Sequence, residues 1–253
     1  NLLLLCCKII RHMLRCFFII FTCLLFATAA NAQTVKKAIP FYKSGLIYRD
    51  KGMFLEAIGS FKKAIALDKK YDSAYLELSG IFLKINMADS AIALLKKAIK
   101  IKPDFTAAHF TLGIIYRDYK RISGEAIVHF LNALKLDSTN KVTLYSLAWC
   151  NNDKGNYAEA VKYAIKALEI DNNYRPGYNE LAHAYRNLKT YQEAIDQFKK
   201  NLAISVTDQP LYYSALCYLE LKDKAGAEKM YEELKKINAK SAEGLRKKID
   251  AAQ

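Results

Sequence analysis

The chain has 253 residues, of which 52% are hydrophobic and 25% charged, and its formal net charge is +14. That balance is globular and excludes a disordered or collagen-like chain. Ten glycines and four prolines are few, while Ala, Leu, Lys, Ile and Tyr recur at short spacing, so the expected fold class is all-α.

Residues 1–32 read as a targeting segment. Arg11, His12 and Arg15 precede an uncharged apolar run from Cys16 to Ala30, and the sequence Ala-Asn-Ala stands ahead of Gln33. A basic region, a short apolar run and an A-x-A site describe a secretory signal peptide, with cleavage expected after Ala32. The run is shorter than the about 20 apolar residues a spanning helix needs, so no stable membrane span is expected after cleavage. Translation from Met13 would give a compact signal and leave residues 1–12 as upstream reading frame. The resulting location is periplasmic or secreted; the alternative is a membrane anchor through an uncleaved N-terminus. Thr22 ahead of Cys23 argues against lipoprotein processing.

The same segment holds Cys6, Cys7, Cys16 and Cys23, leaving Cys150 and Cys217. These two fall on different helices, beyond the roughly 7 Å Cα separation a disulfide tolerates, and read as small buried hydrophobes. Without residues 1–32 the chain holds 36 basic against 25 acidic residues, a net +11. Such a charge suits an acidic partner, a nucleic acid or a membrane surface and does not choose among them.

After a short linker at 33–37, six repeats tile the chain: 38–71, 72–105, 106–140, 141–174, 175–207 and 208–241. Each holds two helical stretches, and a period near 34 residues marks a helix-turn-helix solenoid. One small residue falls in each first helix and two in the second, where backbones must cross closely. Gly45, Ala57 and Ala64 are followed by Ser79, Ala91 and Ala98, then by Gly113, Ala126 and Ala133, then by Ala148, Ala160 and Ala167. Bulky fillers stand between them: Tyr48, Phe82, Tyr116, Tyr185 and Tyr218 late in first helices, and Phe61, Phe130, Phe198 and Tyr231 in second helices. Small side chains opposite large ones let facing helices interdigitate.

These residues resemble the tetratricopeptide repeat (TPR) family, whose pattern is a small residue, Tyr three places on, then Ala, an aromatic, Ala and often Pro. "YKSGLIY", "TLGIIY" and the stretch from Ser79 to Pro103 carry it most plainly. The resemblance implies a right-handed superhelical solenoid of about six helix-turn-helix repeats whose role is to bind proteins or peptides. Three departures stand out. The third repeat has an extra residue, placed in the inter-helix turn "DYKRISGEA"; Asn201 and Leu234 occupy positions where Ala is expected, so the last repeats should be less regular. A stack also needs a solvating end, and residues 242–253 supply a capping helix with Ala242, Leu245, Ile249 and Ala252 on one stripe.

By the same resemblance, first helices line a concave groove. It would receive Tyr42, Leu46 and Arg49, then Leu76, Gly80 and Leu83, with Tyr212 and Leu216 near the far end. Its centre is the informative part. Phe110, Tyr145 and the sole tryptophan, Trp149, form an aromatic shelf, with Arg117, Asn152, Asn179, His183 and Arg186 beside it. Aromatic and Arg side chains are enriched among binding hot spots. Packing between neighbouring repeats is the competing role for Phe110 and Tyr145.

The pairs Lys62-Lys63, Lys96-Lys97 and Lys199-Lys200 recur at one phase of the second helices, with Lys235-Lys236 three places later in the last, as a solvated convex face would. No base-reading motif accompanies them, so a nucleic-acid partner is not expected. The chain has no phosphate loop, no H-E-x-x-H, no G-x-S-x-G and no cysteine pair with zinc spacing. His109 and His129 lack ligand-like neighbours in sequence. The expectation is a non-enzymatic exported scaffold without cofactor or metal, holding a peptide or protein segment of the cell envelope in its groove. The alternative is a nucleic acid or an anionic envelope polymer on the basic surface.

Overall fold

The structure is a computed structural model and describes residues 36–252. The expected signal peptide and the start of the linker lie outside the described residues, while positions 36 and 37 of that linker are already helical. The described residues form helices joined by turns and contain no strand. They divide into two compact bodies, one ending at Pro103 and the other beginning at Asp104.

The first body holds α1 (36–50), α2 (Phe54–Leu67), α3 (Asp72–Lys84) and α4 (Ala88–Ile101), with α3 packed on α2 and α4. The second begins with α5 (Thr106–Ile114), which runs on through a π-helical turn at Ile115–Tyr119, then α6 (Ser123–Leu136), α7 (Lys141–Asp153) and α8 (Tyr157–Ile170). It continues with α9 (Arg175–Asn187), α10 (Tyr191–Ile204), α11 (Asp208–Glu220), α12 (Lys224–Ile237) and α13 (Ala239–Ala251). Each of these helices packs on the next, and α7 also touches α9.

Helix lengths repeat with the sequence. The first helices α3, α7, α9 and α11 have 13 residues each, and every second helix from α2 to α12 has 14. Three residues join the two helices of each pair, and the middle one always has positive φ: Gly52 (74°), Asn86 (60°), Arg121 (57°), Gly155 (77°), Lys189 (64°) and Lys222 (60°). A left-handed residue followed by a long back-bond is the Schellman ending of a helix. The amide of the third connecting residue closes it by donating to the carbonyl five places back, as in Met53 to Tyr48 (2.9 Å) and Asn156 to Asn151 (2.8 Å).

The third repeat differs in one respect, and here the sequence expectation is corrected. Its connection, 120–122, has the same three residues as the others; the additional residue sits inside the preceding helix. The π-helical turn absorbs it, so Ile122 N–H donates to Tyr116 O six places back, at 2.8 Å. A single π-helical turn within an α-helix houses one extra residue while its backbone groups stay bonded.

The core follows the small-against-large rule. A Cβ placed on Gly45 would stand 2.6 Å from Phe61 Cε1, and one on Gly113 would stand 2.6 Å from Phe130 Cδ1. Glycine there lets the ring lie directly on the backbone of the facing helix. Phe61, Phe130 and Phe198 are fully buried, as are Ala57, Ala64, Ala126, Ala133, Ala160 and Ala167.

The last repeats keep the common helix lengths, against expectation. Asn201 fits at the alanine position because its Nδ2 donates to Arg175 O at 3.0 Å, and Leu234 is buried in the terminal core. Helix α13 starts at Ala239, earlier than the sequence suggests, because Asn238 caps it by accepting from Ser241 N–H at 3.0 Å. It lays Ala242, Leu245 and Ile249 on the apolar residues of α11 and α12, while Ala252 lies beyond its last turn. Arg246 fastens the outer side, pairing with Glu228 and lying 4.2 Å from the Tyr231 ring centroid.

Candidate functional site

Within the second body, α7 presents Tyr145, Trp149 and Asn152 at spacings of four and three, and α9 presents Asn179, His183 and Asn187 at spacings of four. Such spacings place each set on one helix face. The two faces meet around a cavity of about 380 Å³ that is also lined by Asp153, Glu180 and Gln209. A second cavity of about 170 Å³ shares Tyr145, Asn179, Glu180 and Gln209 with the first and adds Arg175, Asn201 and Thr207 among its lining residues.

One device positions these side chains in both bodies. The twelfth residue of a repeat reaches the sixth residue of the next. Arg49 pairs with Glu77 in the first body. In the second, Arg117 donates to Ser146 Oγ at 2.8 Å, Asn152 Nδ2 donates to the Glu180 backbone oxygen (2.9 Å) and carboxylate (3.0 Å), and the Arg186 guanidinium lies 4.3 Å from the Tyr213 centroid. Polar side chains at this phase therefore tie adjacent repeats together.

Of the residues singled out from sequence, Tyr145, Trp149, Asn152, Asn179 and His183 come together at the larger cavity. Phe110, Arg117 and Arg186 do not line it. Phe110 packs on Phe130 with ring centroids 5.7 Å apart. Arg117 sits over the Trp149 and Phe130 rings, 5.7 Å from each centroid, and is further held by Asp118. Arg186 lines a separate cavity of about 270 Å³ with Tyr191, Cys217 and Glu220.

The local environment sets the protonation states. Burial, then the charge of Arg186, pushes His183 down to about 4, so it is neutral near pH 7. Its ring stands edge-on to Tyr213 (4.7 Å) and Phe198 (5.6 Å). Burial raises the Glu180 carboxyl above its ordinary value, opposed by the hydrogen bonds from Asn152 and Asn179. The Tyr145 hydroxyl is raised too, by burial first and then by Glu180. Cys150 and Cys217 are free and buried, pushed up to about 12 and about 11 by desolvation, which leaves both as unreactive thiols.

Sequence reasoning missed Glu180, Asp153, Asn187 and Gln209, since a carboxylate or amide on a helix reads as solvated until its neighbours are known. It also missed that His109 and His129 meet, with Nδ1 atoms 3.4 Å apart and His129 stacked on Tyr116. Among the described residues no group of three or more His, Cys, Asp or Glu side chains is placed to hold a metal ion, and no helix is long and apolar enough to cross a membrane.

Models of the tetratricopeptide repeat match residues 48–112, 143–174, 178–207 and 211–241. The chain belongs to the tetratricopeptide repeat family. Its fold is that of solved solenoids of this kind. PilW, a widely conserved type IV pilus biogenesis factor, superposes with a TM-score of 0.68 at 18% identity, over 82% of this chain and 97% of PilW. PilF of Pseudomonas aeruginosa gives 0.69 at 17% identity, over 85% and 99%. YrrB, a TPR protein with an unusual peptide-binding site, gives 0.66 at 21% identity, over 74% and 97%. At these identities the likeness is one of fold. Comparison with curated protein sequences finds none that matches. The architecture is that of a scaffold for protein interactions.

Proposed function

We propose that this protein is an exported adaptor that holds an extended peptide or protein segment of the cell envelope against the face formed by α7 and α9. The observation that carries the reading is the 380 Å³ cavity, where half-buried Tyr145 and Trp149 stand beside Asn152, Asn179 and His183. Aromatic walls supply contact area at low entropic cost, and amides can pair with the backbone of an extended chain. The N-terminal apolar segment supports export, and the fold shared with a pilus biogenesis factor is compatible with an envelope setting.

The test is capture from an envelope extract by the wild-type chain and by Trp149→Ala, compared at equal thermal stability. Loss of a specific captured protein in the variant is the expected result; undiminished capture overturns the groove. A second reading rests on the exposed pairs Lys62-Lys63, Lys96-Lys97, Lys199-Lys200 and Lys235-Lys236. If a nucleic acid or an anionic envelope polymer binds there, affinity falls steeply with salt, in proportion to the charges neutralised. A complex indifferent to salt removes that alternative.

A further inference from the structure

The α7/α9 cavity has a chemical bias that runs against the rest of the molecule. The whole chain carries +14, yet among the described residues those lining this cavity include the carboxylates of Asp153 and Glu180 and no Lys or Arg. Its only histidine, His183, is neutral near pH 7. Glu180 is 6% exposed and forms no ion pair among the described residues; its hydrogen bonds come from the amides of Asn152 and Asn179, and the charge of Arg117, which is held by Asp118 and Ser146, favours its ionised form without pairing with it. A buried carboxylate ordinarily has a cationic partner.

The amides around it point the same way. Asn152 spends its NH₂ on Glu180, Asn179 also bonds Glu180, and Asn201 spends its NH₂ on Arg175 O. Their orientation is thereby fixed, and the Oδ1 atoms of all three, together with Thr207 Oγ1, have no hydrogen-bond partner among the described residues. These residues line the two adjoining cavities, and Asn201 is 1% exposed. Buried acceptors in such a number call for donors. Tyr145 and Trp149 add aromatic faces, which attract cations.

We infer that the α7/α9 cavity receives an arginine side chain of the bound segment, with Glu180 as the anionic partner and the Asn152 and Asn179 oxygens as further acceptors. The inference rests on the groove reading above. Arginine suits the site better than lysine because its planar fork offers five donors in fixed directions and is the more weakly hydrated cation. Arg175 borders only the smaller cavity, so no cationic side chain lines the larger one among the described residues.

The sole tryptophan stands in the wall, so its emission reports occupancy directly. The full chain is titrated with N-acetyl-arginine methylamide, with the lysine analogue and with the neutral citrulline analogue. The expected result is a saturable millimolar change for arginine, a weaker one for lysine and none for citrulline. Glu180→Gln should weaken arginine binding by about tenfold, the worth of one charge-assisted hydrogen bond. Because a buried position is altered, Asp153→Asn serves as a second variant at an exposed site and should weaken binding by a smaller factor. An unsaturable response, equal binding of citrulline, or affinity unchanged in both variants overturns the inference and would mean that water alone serves these acceptors. A random peptide library panned on the wild-type chain separates the two readings. Peptides retained without enrichment of arginine overturn the cation site and leave the groove standing, whereas arginine binding with no retained peptide does the reverse.

Discussion

The ring of Phe130, itself fully buried, lies so close to Gly113 that a single added methyl group would stand 2.6 Å from Cδ1 and Cε1. Gly113→Ala therefore overpacks the third helix pair, at a cost of about 1–3 kcal/mol. Gly59 in α2 is the control, because nothing lies within 4 Å of its added Cβ. There Ala only restores helix propensity, and Gly59→Ala should stabilise by about 0.5–1 kcal/mol. Urea denaturation of the two variants should give opposite signs, and matching signs would mean that the close approach does not govern the cost.

His183 gives the stability a pH dependence. In the fold it is pushed down to about 4 by burial and by Arg186, whereas in the unfolded chain it titrates near 6.5. Between these values the unfolded state binds the proton and the folded state does not. Its contribution is thus full above about pH 6.5 and is lost as the pH falls toward 4. Glu180 acts with the opposite sign, since its raised carboxyl takes up a proton in the fold before it does so in the unfolded chain. His183→Gln removes the first effect alone and should flatten the fall in stability between pH 6.5 and pH 5 by up to about 1.4 kcal/mol per pH unit. Denaturation series at the two pH values check this, and identical slopes would refute it.

Cys150 and Cys217 are predicted to be silent while the fold is intact. In a chain beginning at Gln33 they are the only thiols, and desolvation holds both protonated at pH 8. A disulfide reagent should label neither within the time it needs to label both in denaturant. Fast labelling of either cysteine in the folded protein would place it at a surface.

Helix α13 closes the apolar end of the last pair. Leu245 and Ile249 are fully buried against α11 and α12. Truncating either to Ala should cost about 2–5 kcal/mol, with the loss read first in hydrogen exchange of α11 and α12. Global unfolding with no local onset would show that the array melts as one cooperative body rather than from its end.

The repeat phase was legible because packing writes it into residue size. Gly45 and Gly113 must be small since Phe61 and Phe130 fill the opposite side, and those pairs recur one or two periods apart. The terminal cap was legible as a stripe, with its start displaced by the Asn238 cap and Ala252 left past its last turn. Tyr145, Trp149, Asn152, Asn179 and His183 could be placed together because spacing puts each set on one helix face and the resemblance to the repeat family implies that first helices line a common groove. Glu180 could not, since its burial depends on two amides that reach it from α7 and from its own helix. The inward ties of Arg117 and Arg186 were equally hidden: guanidinium groups look available in sequence until Ser146 and Tyr213 are seen to claim them. The extra residue of the third repeat reads alike in a turn or a helix, and only the Ile122 to Tyr116 bond distinguishes them.

That widened turn bears on how such arrays change length over time. An insertion swallowed by one coil of a helix leaves the corner after it untouched, so the next repeat resumes its phase. Arg117, the twelfth residue of its repeat like Arg49, Asn152 and Arg186, keeps its tie to the following repeat through Ser146. A single-codon slip is thus absorbed without rebuilding what lies downstream and without breaking the bond between neighbouring units.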